Sequence, residues 1–181
     1  MTARTDAPPW PVPVRLPDVG RMDQPLQLSP DEAARRRIAE TLDLVDLPRL
    51  TAEVKIRPWL DGAEIEGRWS AEVVYRCGLS AEPFDARLDG RFLVRAVPPE
   101  SPHAAASAGE IELDLEAEDP PDVLEGDVLD LGAYVVEHLA LELDPFPRKP
   151  GAVFEPPPAP EPESPFAVLR RLRPEGEGGQ G

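Results

Sequence analysis

The side chains able to do covalent or metal chemistry in this 181-residue chain are few: one cysteine, Cys77, and two histidines, His103 and His138. A thiolate nucleophile needs a base beside it, and the sequence gives no reason to pair Cys77 with His138. A zinc site needs four compatible ligands, a set that one cysteine and two histidines do not supply. The carboxylates Asp119, Asp122, Asp127 and Asp130 lack the D-x-D-x-D-G spacing that wraps calcium. The terminal GEGGQG follows no strand and opens no helix, so it is no phosphate loop. Cys77 therefore reads as a structural residue at a strand end, and the acids as a solvated surface. No catalytic residue, metal or cofactor is expected, and the chain reads as a non-enzyme.

Charge is the stronger signal, and it divides unevenly. Residues 1–107 hold 14 Lys and Arg against 17 Asp and Glu, net −3, whereas residues 108–181 hold 5 against 18, net −13. Residues 110–144 carry 13 acids and no Lys or Arg. Such a field repels phosphate backbones and attracts basic partners, which makes Glu110, Glu112, Asp114 and Glu116 candidates for partner binding. In the first half Arg87, Arg91 and Arg95 recur every four residues on one candidate strand, with Arg76 nearby. They could form a ridge contacting RNA phosphates. The favoured reading of the same residues is a solvated sheet face laced by weak cross-strand ion pairs.

The elements that would carry these residues follow from periodicity. Residues 49–57 alternate Leu50, Ala52, Val54 and Ile56; residues 63–75 alternate Ile65, Trp69, Ala71 and Val73; residues 84–97 alternate Phe84, Leu88, Phe92 and Val94. Asp61-Gly62 suits a hairpin between the first two strands, and residues 76–83 form a longer link to the third. Residues 110–116 alternate Ile111, Leu113 and Leu115 with acids as a fourth strand. The segment PWPVPVRLPDV is extended, with Val12, Val14 and Leu16 alternating. Ser29-Pro30-Asp31-Glu32 reads as a capping box opening a helix to about Thr41, with Ala34, Ile38 and Leu42 as its apolar stripe and Arg35, Arg36 and Arg37 turned to solvent. A second helix is capped by Asp130, packs through Leu131, Val135, Leu139 and Leu143, widened by Val136 and Ala140, and stops at Asp144-Pro145.

The expected fold is α+β: a curved antiparallel sheet, open or partly closed into a barrel, packed by one or two helices, with irregular termini. The expected divisions are an extended segment 1–28, a core domain 29–152, a proline-rich linker 153–165 and a short helical motif with tail 166–181. Six prolines within residues 155–165 should hold the linker stiff. Phe166, Leu169 and Leu172 form a stripe too short to be stable alone, so it must dock on this chain or on a partner. No apolar run approaches the roughly 20 residues of a membrane span, and the start lacks a signal pattern. A single cysteine excludes an internal disulfide. A cytoplasmic monomer is expected.

A family resemblance joins these pieces. The G-D-x-x-D-L start at 126–131, Glu137, the L-x-L-D-P ending, the P-R-K-P exit, the segment Val74-Tyr75-Arg76-Cys77-Gly78 with Glu82-Pro83-Phe84, and Ser164-Pro165-Phe166-Ala167-Val168-Leu169 together resemble the YceD family across roughly residues 10–172. Many family members carry a cysteine pair at the first signature that could hold zinc; Val74 stands here in place of the first cysteine. The resemblance implies a bacterial-type ribosome-biogenesis factor supporting accumulation of large-subunit (23S) ribosomal RNA, with that RNA or large-subunit ribosomal proteins as partners. An adaptor is the alternative, binding a non-ribosomal partner through Phe166, Leu169 and Leu172.

Overall fold

The computed structural model describes residues 8–21, 24–104 and 120–153. The elements run β1 (Pro13–Arg15), α1 (Leu16–Val19), β2 (Leu26–Leu28), α2 (Glu32–Thr41), β3 (Asp46–Trp59), β4 (Gly62–Arg76), β5 (Pro83–Val97), β6 (Asp122–Val123), β7 (Val128–Asp130) and α3 (Leu131–Glu142). The fold is α+β, and the sheet is open. Its order is β2-β3-β4-β5-β6, antiparallel except where β6 runs parallel to Ala96–Val97, and β1 pairs with β7 in a separate two-stranded ribbon.

The three long strands carry the expected alternation. Leu50, Ala52, Val54 and Ile56 on β3, and Ile65, Trp69, Ala71 and Val73 on β4, are all buried on one face. On β5, nearer the edge, Phe92 is buried while Phe84, Leu88 and Val94 are partly buried against the same core. Two glycines accommodate the aromatics. Gly67 lies opposite Phe92 and Gly90 opposite Trp69, and a Cβ at either position would strike the facing ring. Each ring thus lies flat over bare backbone, and Phe92 offers its other surface to His138 of α3 at a centroid distance of 4.5 Å.

Both helices form, with instructive shifts. The cap of α2 is Asp31, which accepts from the Ala34 amide at 2.7 Å, and not Ser29. Residues 26–28 are held in the ladder with β3, and the Ser29 hydroxyl is turned to the Leu50 carbonyl. Ala34, Ile38 and Ala39 are buried, with Leu42 packed at their margin. Arg36 pairs with Glu32, whereas Arg35 and Arg37 donate to the carbonyls of Pro30 and Pro9. In α3, Leu131, Val135, Val136 and Leu139 are buried; Ala140, expected to widen that stripe, is exposed.

The amino-terminal segment corrects a second expectation. The expected alternation of Val12, Val14 and Leu16 stops at Arg15, because Leu16 opens the short helix α1 with proline in its first turn. β1 instead lies against β7 at the start of α3, and one carboxylate joins the two. Asp130 Oδ1 accepts from the amides of Gly132 at 3.0 Å and Ala133 at 3.2 Å, capping α3, and from the Val12 amide at 2.9 Å. Asp130→Ala should therefore lower stability by about 1–2 kcal/mol, through the lost cap and the freed strand. Chemical denaturation of the two chains measures it; equal midpoints would contradict it.

The hairpin between β3 and β4 closes one residue earlier than expected. Trp59 pairs with Gly62, so Leu60 and Asp61 form the loop, with Leu60 at φ 51°. Gly62 is already in the strand, where a Cβ would run into the Ala96 carbonyl. The link from β4 to β5 is the loop 77–82, since Arg76 pairs with Pro83. The expected strand at 110–116 lies outside the described residues.

Candidate functional site

The outward parity of β3, β4 and β5 assembles a charged face whose pattern is set by register. Five rows cross the three strands: Arg57–Glu64–Arg95, Lys55–Glu66–Leu93, Glu53–Arg68–Arg91, Thr51–Ser70–Asp89 and Arg49–Glu72–Arg87. The first row is closed upon itself. Glu64, 7% exposed, accepts from Arg57 Nε at 2.6 Å and from Arg95 Nε at 3.0 Å. The Arg95 hydrogen bond, opposed by burial and aided by Arg57, holds the Glu64 carboxyl below its ordinary range. Arg95 also lies over the Trp59 ring, 5.1 Å from its centroid.

The candidate phosphate ridge consequently divides. Arg87, Arg91 and Arg95 share the outer face of β5, but Arg95 is held by Glu64 and Trp59, and its side chain is only 24% exposed. Arg87 reaches Glu72 at 3.4 Å while remaining 86% exposed. Arg91 faces Arg68 directly across the β4–β5 ladder. Neither has a carboxylate within 4 Å among the described residues, because Glu53, the next group along the row, is engaged by Gln27 at 2.7 Å. Arg76, at the end of β4, donates to the Ala81 carbonyl. Arg68 was not singled out in the sequence. Counting register through the two hairpins would have found it, since parity alone assigns a face and not an opposite number. Shallow grooves border the pair: Gln27, Thr51, Glu53, Arg68 and Ser70 line one, and Arg57, Glu66, Arg91 and Leu93 the other.

Cys77 lies beyond the far end of β4 and organises the exit of the chain from α3. Its sulfur accepts from the amides of Leu79 at 3.4 Å, Ser80 at 3.5 Å and Lys149 at 3.4 Å, while the Gly78 amide donates to the Pro147 carbonyl at 2.9 Å. Lys149 Nζ closes the clip on Glu82 at 2.8 Å. Hydrogen bonding from Ser80, side chain first and amide second, joined by the Lys149 and Leu79 amides, outweighs burial and pulls the Cys77 thiol down to about 6. A cysteine in an unfolded chain titrates near 8.5. The thiolate therefore contributes stability that is full above about pH 8.5 and lost as pH falls through about 6. Thermal unfolding across that window should show the native midpoint rising with pH and the Cys77→Ala midpoint staying flatter; parallel curves would contradict it.

His138, the base that Cys77 would need, is not its neighbour. It stacks on Phe92, whose ladder partner Gly67 precedes Cys77 by ten residues on the same chain. That separation is roughly 30 Å along a strand. The carboxylates Asp122, Asp127 and Asp130 also disperse: Asp127 pairs with Arg15 at 2.9 Å, Asp130 caps α3, and Asp122 lies on β6 beside Tyr134, whose hydroxyl is pushed up by burial and by Asp122. Among the described residues no group of three or more His, Cys, Asp or Glu could hold a metal ion. Asp119, Glu110, Glu112, Asp114, Glu116, Phe166, Leu169 and Leu172 lie outside the described residues.

The architecture is that of a small α+β protein: an open sheet covered by helices on one side, with the other side left as a broad charged surface. Its sequence places it more narrowly. The chain belongs to the YceD family, described as large ribosomal RNA subunit accumulation protein YceD, whose model matches residues 65–173. That match begins within β4 and runs through β5, α3 and the clipped exit. No curated protein and no solved structure matches the chain significantly. No helix among the described residues is long and apolar enough to cross a membrane.

Proposed function

We propose that this chain is a non-enzymatic, cytoplasmic ribosome-biogenesis factor that supports the synthesis, processing or stability of large-subunit (23S) ribosomal RNA. The observation that carries this reading is the family match over residues 65–173. The layout of the described residues is consistent with a binding role. The helices bury one face of the sheet, and the other displays Arg49, Lys55, Arg68, Arg87 and Arg91 toward solvent. Charge division suggests a matching arrangement of partners: RNA phosphates meet the arginine-bearing face, while the acidic stretch 110–144 repels them and suits a basic ribosomal protein. The adaptor reading rests on residues 166–172, outside the described residues, and no described contact favours it.

Crosslinked recovery of the tagged full chain from growing cells tests the proposal. It should enrich large-subunit over small-subunit ribosomal RNA. Recovery of both in their cellular ratio, or of neither, would contradict it.

A further inference from the structure

The row Glu53–Arg68–Arg91 poses a problem that folding does not answer. Like charges directly opposite on one face of an antiparallel pair are destabilising, and here the nearest carboxylate in the row is turned toward Gln27. Three arginines of the outer rows, by contrast, reach glutamates: Glu64 is shared by Arg57 and Arg95, and Glu72 is met by Arg87, while Arg49 faces Glu72 and no other arginine in its ladder position. An uncompensated Arg–Arg pair amid such rows is explained by an anion that the pair receives from outside.

We propose that Arg68 and Arg91 together clasp one backbone phosphate of single-stranded RNA. Directly opposite residues have Cβ atoms about 5 Å apart, close enough for two guanidinium forks to converge on the oxygens of a single phosphate. The flanking rows determine what kind of backbone can be held. Successive outward residues on a strand are roughly 6.6 Å apart, so an RNA strand laid along β4 or β5 would bring neighbouring phosphates over Glu66 on one side and Asp89 on the other. A flexible single strand that touches the sheet only at the Arg68–Arg91 pair avoids both, whereas a stiff duplex presenting a continuous phosphate track does not. This inference rests on the ribosomal RNA reading and narrows it to two residues.

The test is fluorescence anisotropy of the full chain with a short labelled single-stranded RNA and with the corresponding duplex, titrated over a series of salt concentrations. Arg68→Gln and Arg91→Gln should each weaken single-strand binding about tenfold. The double variant should lose little more than either single one, and its salt slope should fall by about 0.7, the value for one phosphate on a single strand. Arg36→Gln, on α2 and paired with Glu32 away from this face, should change binding less than threefold. Unfolding midpoints of the Arg68 and Arg91 variants should equal or exceed that of the native chain, since like-charge repulsion is relieved; a structural role would lower them. Native affinity in the double variant, an equal loss in Arg36→Gln, or tighter binding of duplex than of single strand would overturn the proposal. Absence of RNA binding by the native chain would overturn it too, while crosslinked recovery of large-subunit RNA through a protein partner would leave the broader reading standing.

Discussion

Gly132→Ala is expected to destabilise the protein by about 3 kcal/mol, against the direction that helix propensity predicts. Gly132 is the second residue of α3, and in a helix alanine exceeds glycine by about 1 kcal/mol. Here a Cβ would run into the carbonyl of Trp10, a backbone atom that cannot rotate aside, with the Val12 side chain 3.2 Å away. The segment is held by the Leu131 amide on the Val12 carbonyl at 3.0 Å and by the Val12 amide on Asp130. A methyl group at this point pushes the segment outward, loosening Trp10, which is 8% exposed, and Val14 from the core. Lost aromatic burial and overpacking each cost a few kcal/mol. Denaturant unfolding followed by tryptophan fluorescence measures the effect. A variant as stable as the native chain would show that the close approach of Trp10 to α3 is not maintained.

Glu64→Ala is expected to cost about 2 kcal/mol near neutral pH. A buried carboxylate that accepts from two guanidinium groups makes charge-assisted hydrogen bonds worth more than neutral ones, and its removal takes that bond from the less exposed partner. That partner is Arg95, stacked over Trp59 and 24% exposed, whereas Arg57 is largely solvated and loses little. The pH dependence has a definite sign. Because Arg95 and Arg57 hold the Glu64 carboxyl below its ordinary range, its contribution is full above about pH 4.3 and is lost as the pH falls through the folded-state value. The deficit of Glu64→Ala relative to the native chain should accordingly shrink on acidification below about pH 4. Glu64→Gln, which keeps the shape and one acceptor, should fall between the two. A deficit unchanged by acid would mean that lost packing, and not the ion pairs, is responsible.

The two predictions mark where sequence patterns are informative and where they stop. Period-two alternation identified β3, β4 and β5 and their buried side chains, because one covered face imposes that period whatever the partner strand. Asp130 as a cap and Pro145 as a stop were legible for local reasons, since both rules involve neighbours only a few residues away. Short ladders were not: β2, β6 and β7 have two or three residues each and exist because a distant strand lies beside them. The same nonlocal pairing moved the α2 cap from Ser29 to Asp31. At the candidate site, parity assigned every arginine to the outer face, but charge balance depends on register. Arg95 stands opposite Glu64 and Arg91 opposite Arg68, two residue pairs that look alike in the sequence and differ entirely in what they leave exposed.

The proposed role in large-subunit ribosomal RNA accumulation rests on membership of the YceD family. The most direct test is a sucrose-gradient ribosome profile, with both ribosomal RNAs quantified, in cells depleted of this protein and complemented with the native chain. The account predicts a selective fall in large-subunit RNA, an accumulation of free small subunits, and restoration by the native chain. A profile unchanged by depletion, or an equal fall in both subunits, would contradict it.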